Sequence, residues 1–575
     1  MNNKTRLTIA WAGAALGLAM LVGGLFVDST SIWRLMLLTG LWLLSLLPRA
    51  RAASLPAQMS TLLRVGLVFG LAFAGVALQL VREQTTQAAA VRARAAALFQ
   101  PAPQRPDSVS AVRPADRTAL GSGRAWPVAL EQRQRGRILD RHGTVLAETR
   151  DGLRAYPLPE LGVLVGFQSR LYGTAGVERS FDGYLSGSRA LSATALLEAR
   201  LLGTPLDAPP ADVVLTLDAG LQQAAEAALG QRRGAAVLLD PQTGAILAMA
   251  SYPRFDPNAL VLPERASEAD VARVQAAWQS LTGQPDSPLL NRAAQGRYAP
   301  GSVIKTLTAA AALDSGVLSG VEGQVTCPNR LSTEAGAPPV RNAVENLDQR
   351  TGSPSDLRRV FAFSCNTAFA QLGLALGPER FGDYAARFGL RFADAVSTTA
   401  DLRDIPADVG SIAGDTAFLQ RPAALADTAF GQGQALVTPL DMARMVGLIA
   451  SDGRAMRPYL VHEARAGDRV LYRAAPESLR QAITPETARQ MRSVMWTSVE
   501  IGYAAPVALP GVAIGAKTGT AETSSGVPHS WFVAIAPADQ PRFAIAVIIE
   551  NGGEGSRGAL PVARQILAAA LGVQQ

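Results

Sequence analysis

Tyr298-Ala299-Pro300-Gly301-Ser302-Val303-Ile304-Lys305-Thr306-Leu307-Thr308-Ala309-Ala310-Ala311-Ala312-Leu313-Asp314-Ser315-Gly316 is the stretch that decides how this chain reads. Pro300 and Gly301 predict a turn, Ser302 stands where a helix begins, and Gly316 stands where one ends. The residues between are nearly all apolar or small, which predicts a buried helix. Lys305 breaks that pattern. It lies three positions after Ser302, on the same face and one turn on. A buried ammonium is costly unless it is paired or gives up its proton. Beside a serine hydroxyl, a neutral lysine can serve as a base.

Ser-x-x-Lys alone is a weak pattern, and chance matches are ordinary in a chain of 575 residues. Lysine usage raises its weight. Of 54 Lys plus Arg, only Lys4, Lys305 and Lys517 are lysines. Wherever a generic positive charge suffices, this chain uses arginine, which cannot act as a base. Lys305 and Lys517 therefore mark positions that arginine would not fill.

The length predicts two or three domains. The net charge of +7 comes from scattered arginines without a basic block, which argues against nucleic-acid binding. Three widely spaced histidines (His142, His462, His529) argue against a His-rich metal site. Two cysteines, Cys327 and Cys365, make no disulfide scaffold. Cys365 is read as a small packing residue lining the site; pairing it with Cys327 is the alternative, though it would crowd the motif.

Residues 1–81 form a predicted membrane region with spans at 7–27, 32–48 and 65–81. Lys4 and Arg6 precede the first run; Arg49, Arg51 and Arg64 lie between the second and third. The positive-inside rule puts the N-terminus in the cytoplasm and everything after Val81 outside it. Residues 82–134 read as a juxtamembrane helix and a Pro/Arg/Ser-rich linker. Residues 135–211 read as a small β-rich supporting module, in which His142 and Glu178 are better explained as supports than as catalytic groups. Residues 212–575 read as an α/β (α+β) domain, with strands at both ends and helices between, hence an antiparallel sheet between helical layers.

Two further polar clusters stand out. Ser364-Cys365-Asn366 interrupts an apolar helical segment; by itself it reads as ordinary local capping. Lys517-Thr518-Gly519-Thr520 lies on a predicted strand; by itself it reads as an edge strand with a protective lysine. Taken in order, Ser-x-x-Lys, Ser-x-Asn and Lys-Thr-Gly resemble the signature of penicillin-binding proteins and serine β-lactamases. Arg135-Gly136-x-Ile138-x-Asp140-Arg141-x-Gly143 and Gly173-x-x-Gly176-x-Glu178 are similar to the pedestal motifs of class B penicillin-binding proteins, the monofunctional peptidoglycan D,D-transpeptidases. The resemblance covers roughly residues 135 to 575, and five ordered motifs make coincidence remote.

The resemblance implies a penicillin-binding transpeptidase fold on a pedestal. It implies Ser302 as nucleophile, Lys305 as its base, Ser364 as proton relay, Asn366 as holder of the substrate amide, and Lys517 as a source of positive potential. Thr518, Gly519 and Thr520 would bind the substrate, the threonines through its terminal carboxylate. It implies no cofactor and no metal. Its partners would be peptidoglycan stem peptides, β-lactam antibiotics, the membrane, and a glycan polymerase of the shape, elongation, division and sporulation family. Class B members usually have one membrane span, whereas three runs are read here. A D,D-carboxypeptidase or β-lactamase-type hydrolase, and a membrane β-lactam sensor, share the three catalytic motifs and stand as alternatives.

Overall fold

A computed structural model of the protein describes residues 3–24, 30–46, 135–187, 209–394, 400–524 and 526–573. The expected third span, and the juxtamembrane helix and linker of 82–134, lie outside them. The chain divides into two units, 1–106 and 107–575.

In the first unit, α1 (Asn3–Gly24) packs on α2 (Thr30–Leu44). Glycine permits the close approach: a methyl group at Gly17 would lie 2.7 Å from the Gly40 carbonyl oxygen. Trp11, Leu16, Leu18, Leu35, Leu38 and Trp42 are exposed. Among the described residues, no helix is long and apolar enough to cross a membrane.

The second unit opens with short strands, β1 (Ile138–Leu139), β2 (Val145–Arg150) and β3 (Leu153–Ala155), and continues through β4 (Asp212–Leu215) into α3 (Ala219–Leu229). Then come β5 (Gly234–Leu239), β6 (Ile246–Tyr252) and α4 (Glu268–Gly283). The central helix is α5 (Lys305–Asp314), followed by α6 (Asn366–Arg387), which breaks at Gly377, then α7 (Pro422–Phe430) and α8 (Pro439–Ala450). A hairpin of β7 (Val461–Ala466) and β8 (Arg469–Arg473) leads to α9 (Pro485–Glu500). The chain closes with β9 (Gly515–Ala521), β10 (His529–Ala536), β11 (Phe543–Ile549) and α10 (Ala559–Leu571).

One sheet is antiparallel and five-stranded, in the order β9-β10-β11-β5-β6. The strands β5, β6, β10 and β11 are apolar at nearly every position because both faces are covered. Val237, Val533, Ala546 and Ile548 join a core with α5, α6, α7, α8 and α9. Their neighbours Leu238, Phe532, Ile545 and Val547 face α3 and α10. This is the expected sheet between helical layers, with β9 as an edge strand.

The second sheet is six-stranded, in the order β8-β7-β4-β1-β2-β3. Chain from far beyond α5 completes this sheet: β7 pairs with β4, and β4 runs parallel to β1.

The pedestal motifs hold this region together. Glu178 is fully buried, and its carboxylate accepts from Arg135 Nε at 2.7 Å and Arg154 Nε at 2.6 Å. Asp140 accepts from the backbone N–H groups of His142 and Thr144, and from Ala219 at the start of α3. His142 Nε2 lies 3.1 Å from Asp218 Oδ2, at the surface. Removing one partner of a buried ion pair strands the other charge and costs about 3–5 kcal/mol. Glu178→Gln is therefore expected to lower the unfolding free energy by about that amount, while the folded fraction acylates with penicillin at the wild-type rate. Chemical denaturation combined with a labelling time course checks both.

Candidate active site

The turn carrying Ser302 is a single 3-10 turn, Gly301–Ile304, that runs directly into α5. Gly301 has φ +54°, and a methyl group there would lie 2.4 Å from the Thr520 carbonyl oxygen. Only glycine allows the backbone both that conformation and that contact with β9. A methyl group at Gly519 would meet Val303 Cγ1 and Trp531 Cβ, each at 2.9 Å. The two glycines thus bring the serine turn onto the edge strand that carries Lys517, Thr518 and Thr520.

Lys305 is wholly buried, as its place on an apolar helix predicts. Its Nζ donates to the Ser364 carbonyl oxygen at 2.8 Å and to Asn366 Oδ1 at 2.6 Å, and lies 3.1 Å from Ser364 Oγ. Burial, with Lys517 nearby adding to it, pushes the amine well below the usual lysine range. Lys517, 1% exposed, is lowered by burial to about 7. Its Nζ donates to the Thr518 carbonyl oxygen at 2.9 Å and sits 5.6 Å from the centre of the Phe361 ring. A lysine that protects a sheet edge reaches into water; burial rules that role out for Lys517.

The Ser364 segment is a break between two helices. The preceding helix, Leu357–Ala362, ends, Ser364 takes φ +57°, and α6 begins at Asn366 with Cys365 as its cap. Asn366 Nδ2 donates to the Arg341 carbonyl oxygen at 2.9 Å. That bond orients the amide so that its oxygen, not its nitrogen, meets Lys305.

Cys365 departs from the expectation that it only packs. It is bonded to Cys327, 38 residues away. The motif is not crowded, because its alternate residues diverge: Ser364 and Asn366 turn toward Lys305, while the Cys365 sulfur turns toward the 327–342 segment. Asn342 Oδ1 there accepts from the Thr367 backbone N–H at 3.1 Å, and Pro328 O accepts from Thr367 Oγ1 at 2.7 Å. The disulfide thus clamps the start of α6 to the 327–342 segment, which also supplies the Arg341 carbonyl.

Of the eight residues expected from the sequence, Ser302 lies on the serine turn, Lys305 at the start of α5, Ser364 on the break before α6, Asn366 at the start of α6, and Lys517, Thr518, Gly519 and Thr520 on β9. Thr520 Oγ1 accepts from the Gly555 N–H at 3.4 Å, which leaves its own proton free to face a ligand. Among the described residues, no group of His, Cys, Asp and Glu could hold a metal. Several supports have no counterpart in the motifs. Trp531 Nε1 donates to the Ala299 carbonyl oxygen at 2.9 Å. Gly431, in the turn after α7, presses against the Gly301 carbonyl. Glu550 accepts from the Tyr298 hydroxyl. None of these carries a spacing signal, since each pairs residues more than a hundred positions apart.

The comparisons agree with this geometry. The penicillin binding protein transpeptidase domain family matches residues 234–570. The peptidoglycan D,D-transpeptidase PbpA of Mycolicibacterium smegmatis is 36% identical over 474 residues, covering 76% of this chain and 89% of that protein. The peptidoglycan D,D-transpeptidase MrdA of Acinetobacter baumannii is 29% identical, over 68% of this chain and 59% of that protein. Penicillin-binding protein A from M. tuberculosis, solved as its penicillin G acyl-enzyme complex, is similar with a TM-score of 0.65 at 33% identity, covering 76% of this chain and 100% of that one. With a buried amine, a serine turn and a Lys-Thr-Gly edge strand brought together, and with these relatives, the chain belongs to the penicillin-binding protein transpeptidase family, and its likeness to the D,D-transpeptidases places it with class B.

Proposed function

We propose that the protein is a peptidoglycan D,D-transpeptidase that crosslinks stem peptides through an acyl-enzyme on Ser302, releases D-alanine, and is acylated by β-lactams. The observation that carries this reading is the Lys305 amine, buried without an ion-pair partner among the described residues and one turn beyond Ser302. A neutral amine has two N–H donors and one lone pair. The Ser364 carbonyl and Asn366 Oδ1 can only accept, so they take the two donors. The lone pair is left for a hydroxyl.

Ser302 gives its proton to Lys305 as its oxygen attacks the carbonyl between the two D-alanines. The Ser302–carbonyl bond forms, and the tetrahedral oxyanion is held by the backbone N–H groups of Ser302 and Thr520. Collapse breaks the C–N bond, and Ser364 relays the proton from Lys305 to the departing amine. Lys517, while protonated, supplies positive potential, and the Thr518 and Thr520 hydroxyls donate to the substrate carboxylate. Asn366 holds the peptide amide. An amine from a neighbouring stem peptide then takes the acyl group and regenerates Ser302.

The site lies outside the cytoplasm in this reading. Basic residues flank the apolar N-terminal runs on the expected cytoplasmic side, and a disulfide fits an oxidising compartment. Residues 1–81 are proposed as the anchor, with 135–211 as pedestal and 212–575 as transpeptidase domain. The proposed partner is a membrane glycan polymerase of the shape, elongation, division and sporulation family.

With lipid-linked glycan and a cognate polymerase, wild-type protein is expected to yield crosslinked dimers by muropeptide mass spectrometry, and Ser302→Ala none. Free D-alanine without dimers would make the protein a carboxypeptidase instead.

The two lysines set a pH window. Lys305, with its pKa lowered, is neutral once pH exceeds that value; Lys517 stays charged only below about 7. The second-order rate of penicillin acylation reports the free enzyme. It is expected to rise with pH as Lys305 deprotonates and to fall as pH passes through about 7. In Lys517→Arg the falling limb should disappear, because arginine keeps its charge. A falling limb that survives this change would assign it to another group.

Closing a loop of this length constrains the unfolded chain by about 4 kcal/mol. Cys327→Ser should lose stability of that order in chemical denaturation and acylate more slowly, since the support of Asn366 loosens. An acylation rate equal to wild type would confine the disulfide to a structural role.

A further inference from the structure

Glu550 directly follows β11 and is buried, yet it is not among the residues that meet the substrate in the mechanism above. Three donors converge on it. Arg292 Nε reaches Oε1 at 2.8 Å, the Tyr298 hydroxyl reaches the same oxygen at 2.9 Å, and Arg233 Nη2 reaches Oε2 at 2.9 Å. Each donor is itself fixed. Arg292 also donates to the Ser287 and Asp286 carbonyls, and Arg233 to the Asp286 carboxylate. The Glu550 N–H donates to the Arg233 carbonyl at 2.7 Å. One carboxylate thus joins the end of β11, the approach to β5 and the segment that leads into the serine turn.

If the task were stability alone, apolar residues of similar volume would fill the space as well. A carboxylate with a tyrosine hydroxyl instead fixes one distance. Tyr298 lies four residues before Ser302. Its backbone exchanges hydrogen bonds with Val437, N–H to O at 2.9 Å and O to N–H at 2.8 Å. Its ring stands edge-on to Trp531, whose indole in turn holds the Ala299 carbonyl. Burial and Glu550 together hold its hydroxyl protonated, so it remains a donor. Backbone, ring and hydroxyl are therefore all secured, and two residues separate this anchor from Gly301.

We infer that Glu550 is a positioning residue for the acylation step, acting through the Tyr298 hydroxyl to hold the Gly301–Ser302 turn against β9. The inference rests on Ser302 as the acylated serine. Small displacements of a nucleophile cost the chemical step far more than they cost binding, and the carboxylate-binding threonines lie on a different element. The effect should fall on k2, the acylation rate constant at saturation, and not on K, the dissociation constant of the pre-acylation complex.

The test is stopped-flow acylation of the full-length protein in detergent by a fluorescent penicillin. Tyr298→Phe keeps the ring and removes only the hydroxyl. It is expected to lower k2 about tenfold with K unchanged, and Glu550→Gln to lower it by about tenfold to a hundredfold. Because both variants break the same link, the double variant should be no slower than Glu550→Gln alone. Wild-type k2 in Tyr298→Phe overturns the inference, as does a rise in K at constant k2, or losses that multiply in the double variant. Should Glu550→Gln not fold, Tyr298→Phe decides alone. Ser302→Ala is run alongside: covalent labelling that persists there would refute the choice of nucleophile, a failure distinct from that of the positioning role.

Discussion

An uncompensated lysine amine inside an apolar core is the constraint around which this site is built. Burial disfavours the charged form, and no carboxylate faces Lys305 among the described residues. The amine must instead be satisfied by neutral oxygens at fixed positions. The break between two helices supplies them: the carbonyl and hydroxyl of Ser364 and the amide oxygen of Asn366. A continuous helix could not. Its carbonyls are spent on the next turn, and its residues 364 and 366 would not share a face. The left-handed conformation of Ser364, costly in a residue with a side chain, is held by the parts around it. These are the Cys327–Cys365 bond, the Asn342 contacts and the Arg341 carbonyl that fixes Asn366.

The same requirement explains the edge strand. An edge strand usually has to be blunted against stray pairing, and here it carries lysine, threonine and glycine. Lys517 does not blunt it, being buried beside Phe361. What covers part of the edge is the serine turn, seated at Gly301 and Gly519. A second lysine close to the first helps to depress it, and each is depressed by its own burial. Lys305 is thus lowered by its burial and by Lys517, and Lys517 by its burial alone.

Much of this is legible in the amino-acid sequence, and the reasons are local. Lys305 stands out because it breaks an apolar run, and the scarcity of lysine sharpens the signal. The strands around β5, β6, β10 and β11 are covered on both faces and read as continuous apolar runs. What the sequence hides is either long-range or weakly amphipathic. The helix α4 is an example of the second kind. Only Val274 of that helix is buried, so its apolar period is faint. Its capping box uses Asp270 where the usual signal is glutamate or glutamine. The disulfide is not legible because sequence gives no direction for the Cys365 side chain; the turn at Ser364 decides that. Glu550 and Tyr298 are 252 positions apart, and nothing in the spacing of either hints at the other.

Residues 135–211 read from the sequence as a module preceding 212–575; in the structure Glu178 joins two arginines, and Asp140 anchors α3. The sheet, however, does not respect a linear division. β4 lies between β1 and β7, and β7 with β8 comes from chain that follows α8. α8 in turn packs against β11, whose next residue is Glu550. Strand order thus carries this sheet into the layer behind the serine turn through hydrogen-bonded backbone and packed helix. A fold that must keep a neutral amine within hydrogen-bonding distance of two other segments gains from such interleaving. Segments distant in sequence are locked into one cooperative unit, and the geometry of the cleft is then no softer than the core that surrounds it.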